Sequence, residues 1–258
     1  MFENSVNDYP FRREYLVRGR DFGEGVTEIN VIEFDRYMRA QSLHTMPKAK
    51  RGESKKKEDN RLASAKRARR KVRLLCKALG ADRMITLTYR ENMQDKKRLN
   101  RDYDKVRRRL GKYMDFLYVA VPERQKRGAW HIHIAVKGRQ NYRLLRSIWH
   151  SVVGANNGNV DVRNPLRERG LRHKLAAYLS KYITKDFAEH KTNEKRYWSS
   201  KGIEVPEQQS IAHILHDDPV QAIVIAFDTA EAWGASMDRC QVFWDDWQGC
   251  LWLATREN

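Results

Sequence analysis

The first readable periodicity is helical. Leu62, Ala65, Val72, Leu75, Cys76 and Leu79 recur at three- and four-residue intervals among Lys66, Arg67, Arg69, Arg70, Lys71 and Arg73, which predicts a basic amphipathic helix ending near Gly80. From residue 83 the period alternates between strand and helix. Met84-Ile85-Thr86-Leu87-Thr88-Tyr89 is β-branched and apolar and predicts a strand, while Leu99, Tyr103, Val106 and Leu110 mark one side of a helix over 95–112. Residues 116–121 predict a second strand, 123–128 a polar turn and 130–136 a third strand, the short connection favouring a hairpin. A helix over 141–153 turns Tyr142, Leu145, Ile148, Trp149 and Val152 inward; a short strand follows at 159–163 and a helix at 171–187. The order β-α-β-β-α-β, then α, predicts an α+β protein: a split βαβ antiparallel sheet with helices on one face, preceded by the basic helix.

Both flanks are less regular. Residues 1–45 offer a strand at 28–32 and no assignable role, and 46–60 combine Pro, Gly and Ser with a lysine run, the composition of a basic linker. Beyond the last helix come Tyr197 and Trp198 beside Lys201, an apolar stretch at 220–227, and Trp233, Trp244, Trp247 and Trp252. The expected organisation is an N-terminal extension and linker at 1–60, a core at 61–190, and a small acidic, Trp-rich C-terminal extension at 191–258 that packs as structural support.

Charge gives the partner's class. With 51 Lys+Arg against 33 Asp+Glu, the 258 residues carry a net +18, which implies a polyanionic ligand. The excess is local: residues 203–258 sum to −8 and residues 1–202 to +26. At 41% hydrophobic the chain is too apolar to be disordered throughout. No apolar run is long enough to span a membrane and the start lacks a leader pattern, so a cytoplasmic protein without membrane attachment is expected. Cys76, Cys240 and Cys250 lack C-x-x-C spacing, which argues against a disulfide framework or a cysteine zinc site.

Two constellations carry chemistry. His131 and His133, two apart within an apolar strand, project from one sheet face and could share a metal ion. Glu123, at the end of the preceding strand, would add a carboxylate; two imidazoles and a hard oxygen ligand suit Mg²⁺ or Mn²⁺. The second constellation is Tyr178-Leu179-Ser180-Lys181-Tyr182-Ile183-Thr184-Lys185. At helical spacing Tyr178, Lys181, Tyr182 and Lys185 share a stripe beside the apolar one formed by Leu175, Ala176, Leu179 and Ile183. A phenol attacking an anionic phosphodiester needs electrostatic help, which a divalent ion and a nearby ammonium supply.

The strand MITLTY, the block HIHIAV preceded by Glu123 and Arg127-Gly128, and the block YLSKYITK occur in the order of the three motifs of HUH endonucleases. Over about residues 83–187 the chain resembles a rolling-circle replication initiator of the two-tyrosine class found in single-stranded DNA phages and some plasmids. The resemblance implies His131 and His133 as metal ligands with Glu123 as the third, and Tyr178 and Tyr182 as alternating nucleophiles that form a 5′-phosphotyrosine. It implies Lys181 and Lys185 as supporting cations at the site. Thr86, Thr88 and Tyr89 match the first motif, which shapes the sheet and contacts DNA. It further implies single-stranded origin DNA as substrate, gripped by basic side chains such as Lys66, Arg67, Arg69, Arg70 and Arg73, inside a bacterial host cell. No G-x-x-x-x-G-K-[ST] phosphate loop occurs, so strand separation falls to a host helicase working with a host DNA polymerase. Relaxases of this superfamily have the opposite motif order, and its transposases commonly use one tyrosine. The non-enzymatic alternative is a single-stranded DNA- or RNA-binding module on the same sheet architecture.

Overall fold

The computed structural model describes residues 11–37, 55–164, 175–176, 179–181, 183, 194–215, 219–245 and 250–255. In chain order its elements are β1 (Phe11–Asp21), β2 (Thr27–Tyr37), α1 (Lys57–Ala78), β3 (Arg83–Tyr89), α2 (Lys96–Leu110), β4 (Val119–Arg124), β5 (Trp130–Val136), α3 (Tyr142–Val153), β6 (Gly158–Arg163), β7 (Trp198–Ser199), β8 (Gln209–Ile214), α4 (Pro219–Ala232), β9 (Cys240–Asp245) and β10 (Cys250–Thr255). They form two compact units, Lys55–Val205 and the pair Met1–Ser54 with Pro206–Asn258. Among the described residues no helix is long and apolar enough to cross a membrane.

The Lys55–Val205 unit is an antiparallel sheet in the order β6-β3-β5-β4-β7. Its first four strands follow the split βαβ path that the element order predicts, giving the expected α+β fold. Strand alternation sorts the residues. Ile85, Leu87 and Tyr89 of β3, with Trp130, Ile132, Ile134 and Val136 of β5, face α2 and α3 in one apolar cluster. There Leu99, Tyr103, Val106 and Leu110 of α2 meet Leu145, Ile148, Trp149 and Val153 of α3, the stripes that their helical periods imply. Asp95 and Asn141 cap the two helices, accepting from the backbone N–H groups of Lys97 and Leu144 at 2.8 and 3.1 Å. Trp149, fully buried, donates its Nε1–H to the Thr88 carbonyl at 3.0 Å and locks α3 onto β3.

The other face is divided. Met84, Val119, Val121 and Ala135 belong to a second cluster with Val72, Leu75, Cys76 and Leu79 of α1 and with Leu175, Ala176, Leu179 and Ile183, which are helical. Helices α2 and α3 thus share one face as expected, while α1 and the 175–183 segment cover the apolar end of the opposite face. Helix α1 also starts at Lys57, inside the stretch whose lysines read as linker; Glu58 and Asp59 in its first turn complement the positive end of the helix dipole. Leu62 and Tyr142, expected inward, are exposed: one lies upstream of the part of α1 that meets the sheet, the other at the first position of α3.

Strand β4 begins at Val119, three residues later than residues 116–121 suggest, and runs on to Arg124. The reason is the β4–β5 turn. Gly128, at φ +90, permits a tight reversal in which Gln125 N–H donates to the Ala129 carbonyl and Gly128 N–H to that of Gln125. That register places Glu123 in the strand, directly opposite His131.

The second unit joins both chain ends. Its antiparallel sheet has the order β8-β1-β2-β10-β9, with Tyr15, Val17, Ile29, Val31, Leu251 and Leu253 packed against Ala222, Ala226 and Ala230 of α4. Stretches that composition offered as separate extensions, 1–60 and 191–258, therefore supply paired strands of one sheet. Nine acidic and nine basic residues in 1–54, and nine acidic against two basic in 206–258, give this unit −7 and leave Lys55–Val205 with +25.

Candidate functional site

Side-chain alternation puts the candidate ligands on the face that receives α1. In register across the sheet, one row runs Asp161, Thr86, His133, Val121, and the next runs Asn159, Thr88, His131, Glu123. These polar rows continue directly from the apolar row of Met84, Ala135 and Val119. Glu123, His131 and His133 are 8%, 8% and 6% exposed, so the site is nearly withdrawn from water.

His133 is held at both ring nitrogens. Its Nδ1 lies 3.1 Å from Thr86 Oγ1 and its Nε2 lies 2.7 Å from Glu123 Oε2. With Glu123 ionised, Nε2 carries the proton toward the carboxylate, and the Thr86 hydroxyl then donates to Nδ1. His131 differs: its Nε2 is buried and has no hydrogen-bond partner among the described residues. Burial, the neighbouring His133 and the charge of Arg127 push the His131 pKa down to about 4 against the opposing pull of Glu123. The ring is therefore neutral at physiological pH, with lone-pair capacity directed into a buried space. A neutral, unpartnered imidazole beside a second imidazole and a carboxylate fits a Mn²⁺- or Mg²⁺-type donor set. Among the described residues, however, no three His, Cys, Asp or Glu side chains converge on one point, because Glu123 is engaged by His133.

The second constellation is visible in part. Leu175, Ala176, Leu179 and Ile183 are buried against the histidine-bearing face, Ser180 is buried and Lys181 is exposed, which agrees with the helical stripe expected of this segment. Tyr178, Tyr182 and Lys185 lie outside the described residues. On α1, Lys66, Arg67, Arg69 and Arg70 are at the surface and Arg73 is half-buried. Thr88, half-buried in the outer polar row, makes only a long 3.5 Å contact to the Asn159 carbonyl.

A group that the motifs did not single out lies at the β7 edge, where Lys195, Arg196, Tyr197 and Trp198 come together with Lys201. Its signal was present as adjacent cations and aromatics, but these residues read as the start of the acidic tail. No curated protein and no solved structure matches the chain. Residues 82–187, from β3 through the 175–183 segment, match the family model described as replication-associated protein ORF2, which supports a role in replication initiation.

Proposed function

We propose that this protein cuts and rejoins single-stranded DNA to start and end rolling-circle replication. The observation that carries the proposal is the meeting on one sheet face of an unpartnered, neutral His131 with the helical anchors Leu175, Leu179 and Ile183, whose sequence neighbours are Tyr178 and Tyr182. In the first step a tyrosine Oη forms the bond to phosphorus and the P–O3′ bond breaks. The proton given up by the phenol ends on the departing 3′ oxygen through solvent, and the 5′ phosphate stays on the enzyme. His131 and His133, with Glu123 released from its hydrogen bond, would hold Mn²⁺ or Mg²⁺. When bound, that ion supplies positive charge to the non-bridging phosphate oxygens. Lys181, exposed on the same helix, adds a cation near the reacting phosphate, with Lys185 a further one. A second tyrosine allows a second cut without release of the first product, which is what closing a circle requires. Basic α1 grips phosphates, and the host's helicase and polymerase extend the freed 3′ end.

The test is incubation with labelled single-stranded origin oligonucleotides and Mn²⁺. A covalent protein–DNA adduct is expected, reduced in Tyr178→Phe and in Tyr182→Phe and absent from the double variant. The Glu123–His133 hydrogen bond favours one other reading, a binding module whose histidine is structural. Tight binding with no adduct under any divalent ion would select that reading.

A further inference from the structure

On the α2 side of the sheet, opposite the face that carries the histidines, a cleft of about 1170 Å³ opens between α2 and the 195–201 segment. Its basic lining includes Arg107, Lys195, Arg196 and Lys201, with Tyr197 and Trp198 as half-buried aromatics. Among the described residues Lys195 and Lys201 form no ion pair, while Arg107 is paired with Asp104. Arg196 is the most telling group. Its Nη1 is buried and has no acceptor among the described residues, and burial lowers its pKa, with Glu194 opposing. A guanidinium drawn out of water with a donor unmet is an uncompensated cost that an anionic oxygen would remove.

The backbone around this cleft is fixed independently of any ligand. Ser199 and Trp198 pair with Val119 and Ala120, and the Tyr118 N–H donates to Ser200 Oγ at 2.9 Å. Trp198 leans on Tyr103, ring centroids 4.9 Å apart, and packs on the α2-side cluster, whereas its neighbour Tyr197 packs on the cluster of the histidine-bearing face. Adjacent aromatics thus point to opposite faces around the sheet edge, with cations on either side of them in sequence.

We propose that this cleft is a second binding site for single-stranded DNA, separate from the histidine face, that takes phosphates on Lys195, Arg196 and Lys201 and stacks an unpaired base on Tyr197 or Trp198. Cations beside accessible aromatic surface are what a single strand needs and a duplex cannot use, because paired bases hide their faces. The volume exceeds that of an ordinary small-ligand pocket of about 300–1,000 Å³, so it admits more than one nucleotide. Only the choice of DNA over RNA rests on the proposed replication role.

The test uses a fluorescent oligo-dT without origin sequence, in EDTA, so neither tyrosine chemistry nor metal binding enters it and a failure of nicking leaves it intact. Lys195→Ala/Lys201→Ala removes two exposed cations without touching the core. If both contact phosphates, the slope of log K against log salt becomes shallower by about 1.4, at about 0.7 per phosphate on single strands. An unchanged slope and affinity would overturn the proposal. Photo-crosslinking of a 5-iodouracil oligonucleotide to the unaltered protein gives a second readout. Adducts on Tyr197 or Trp198 are expected, and adducts confined to α1 or to the histidine-bearing strands would equally refute it.

Discussion

Thr86 is the sharpest handle on the histidine face. Its hydroxyl meets His133 Nδ1 at 3.1 Å while Glu123 takes Nε2 at 2.7 Å, so His133 is aligned by one group that can donate or accept and one that only accepts. If Nε2 is to bind a metal, its proton must move to Nδ1, and the Thr86 hydroxyl must then accept instead of donating. Valine keeps the shape of threonine and can do neither. In the metal-free protein, Thr86→Val removes a hydrogen bond worth about 1 kcal/mol and leaves a buried ring nitrogen unmet, a total loss of about 1–3 kcal/mol. For a unit of this size that lowers the melting midpoint by roughly 2–12 °C. Loss of the group that orients a ligating histidine should also weaken Mn²⁺ binding about 10–100-fold, whereas Thr86→Ser, which retains the hydroxyl, should stay within a few-fold of the parent. Mn²⁺ titration followed by electron paramagnetic resonance measures the affinity, and thermal unfolding without metal measures the stability. A valine variant that is less stable yet binds Mn²⁺ as tightly as the parent would show that Thr86 only fills space.

Other expectations are more local. A Cβ at Gly158 would sit 2.3 Å from Trp149 Nε1 and 2.9 Å from the Thr88 carbonyl, so Gly158→Ala should displace Trp149 and cost about 1–3 kcal/mol in urea unfolding; unchanged stability would contradict the packing described. His131 titrates near 4 in the fold and at its ordinary value near 6.5 when unfolded, so the unfolded chain gains the proton first as pH falls. Metal-free protein should hold its full stability from this residue above about pH 6.5 and lose about 1–2 kcal/mol between there and pH 4, allowing for solvent screening; His131→Gln should flatten that part of the pH profile. Replacing Lys66, Arg67, Arg69 and Arg70 with Ala should make the salt slope of single-strand binding shallower by up to about 2.8, and a change near zero would remove α1 from the DNA contact surface.

What could be read from sequence was whatever one element's own period encodes. The alternation of β5 placed His131 and His133 on one face, and the helical stripes of α2 and the 175–183 segment matched the observed burial. Residues whose place depends on long-range pairing were harder. Glu123 read as part of a turn because its strand assignment depends on the register that Gly128 imposes. Residues 11–37 could not be assigned because their sheet partners lie some two hundred residues away, at 209–214 and 250–255. Lys195 to Trp198 were grouped with the acidic tail by composition, although they belong to the basic unit.

The order of polar and apolar rows on one sheet face explains how a single surface could both anchor a helix and hold chemistry. Each strand contributes to both: β5 supplies Ala135 to the anchor and His131 and His133 to the polar rows, while β4 supplies Val119 and Val121 to the anchor and Glu123 at its far end. Sliding any one strand by two residues would keep its side chains on this face but push a polar group under α1 or an aliphatic one beside His131, so the helix seat and the ligand geometry are fixed by the same register. Leu175, Leu179 and Ile183 repeat every four residues on the seated stripe, and Tyr178 and Tyr182 each precede one of these anchors by a single position. By helical period the two tyrosines have the same offset from the anchored stripe and differ by one turn, about 5–6 Å along the axis. Two equivalent nucleophiles at that separation suit a reaction in which one holds a DNA end while the other attacks. Filling Ala135, which forms the floor of that seat, should therefore disturb cleavage through the helix while leaving the histidine rows in register. In Ala135→Val, adduct formation on an origin oligonucleotide should slow while Mn²⁺ affinity holds, and an unchanged adduct rate would show that the helix seat does not position the nucleophiles.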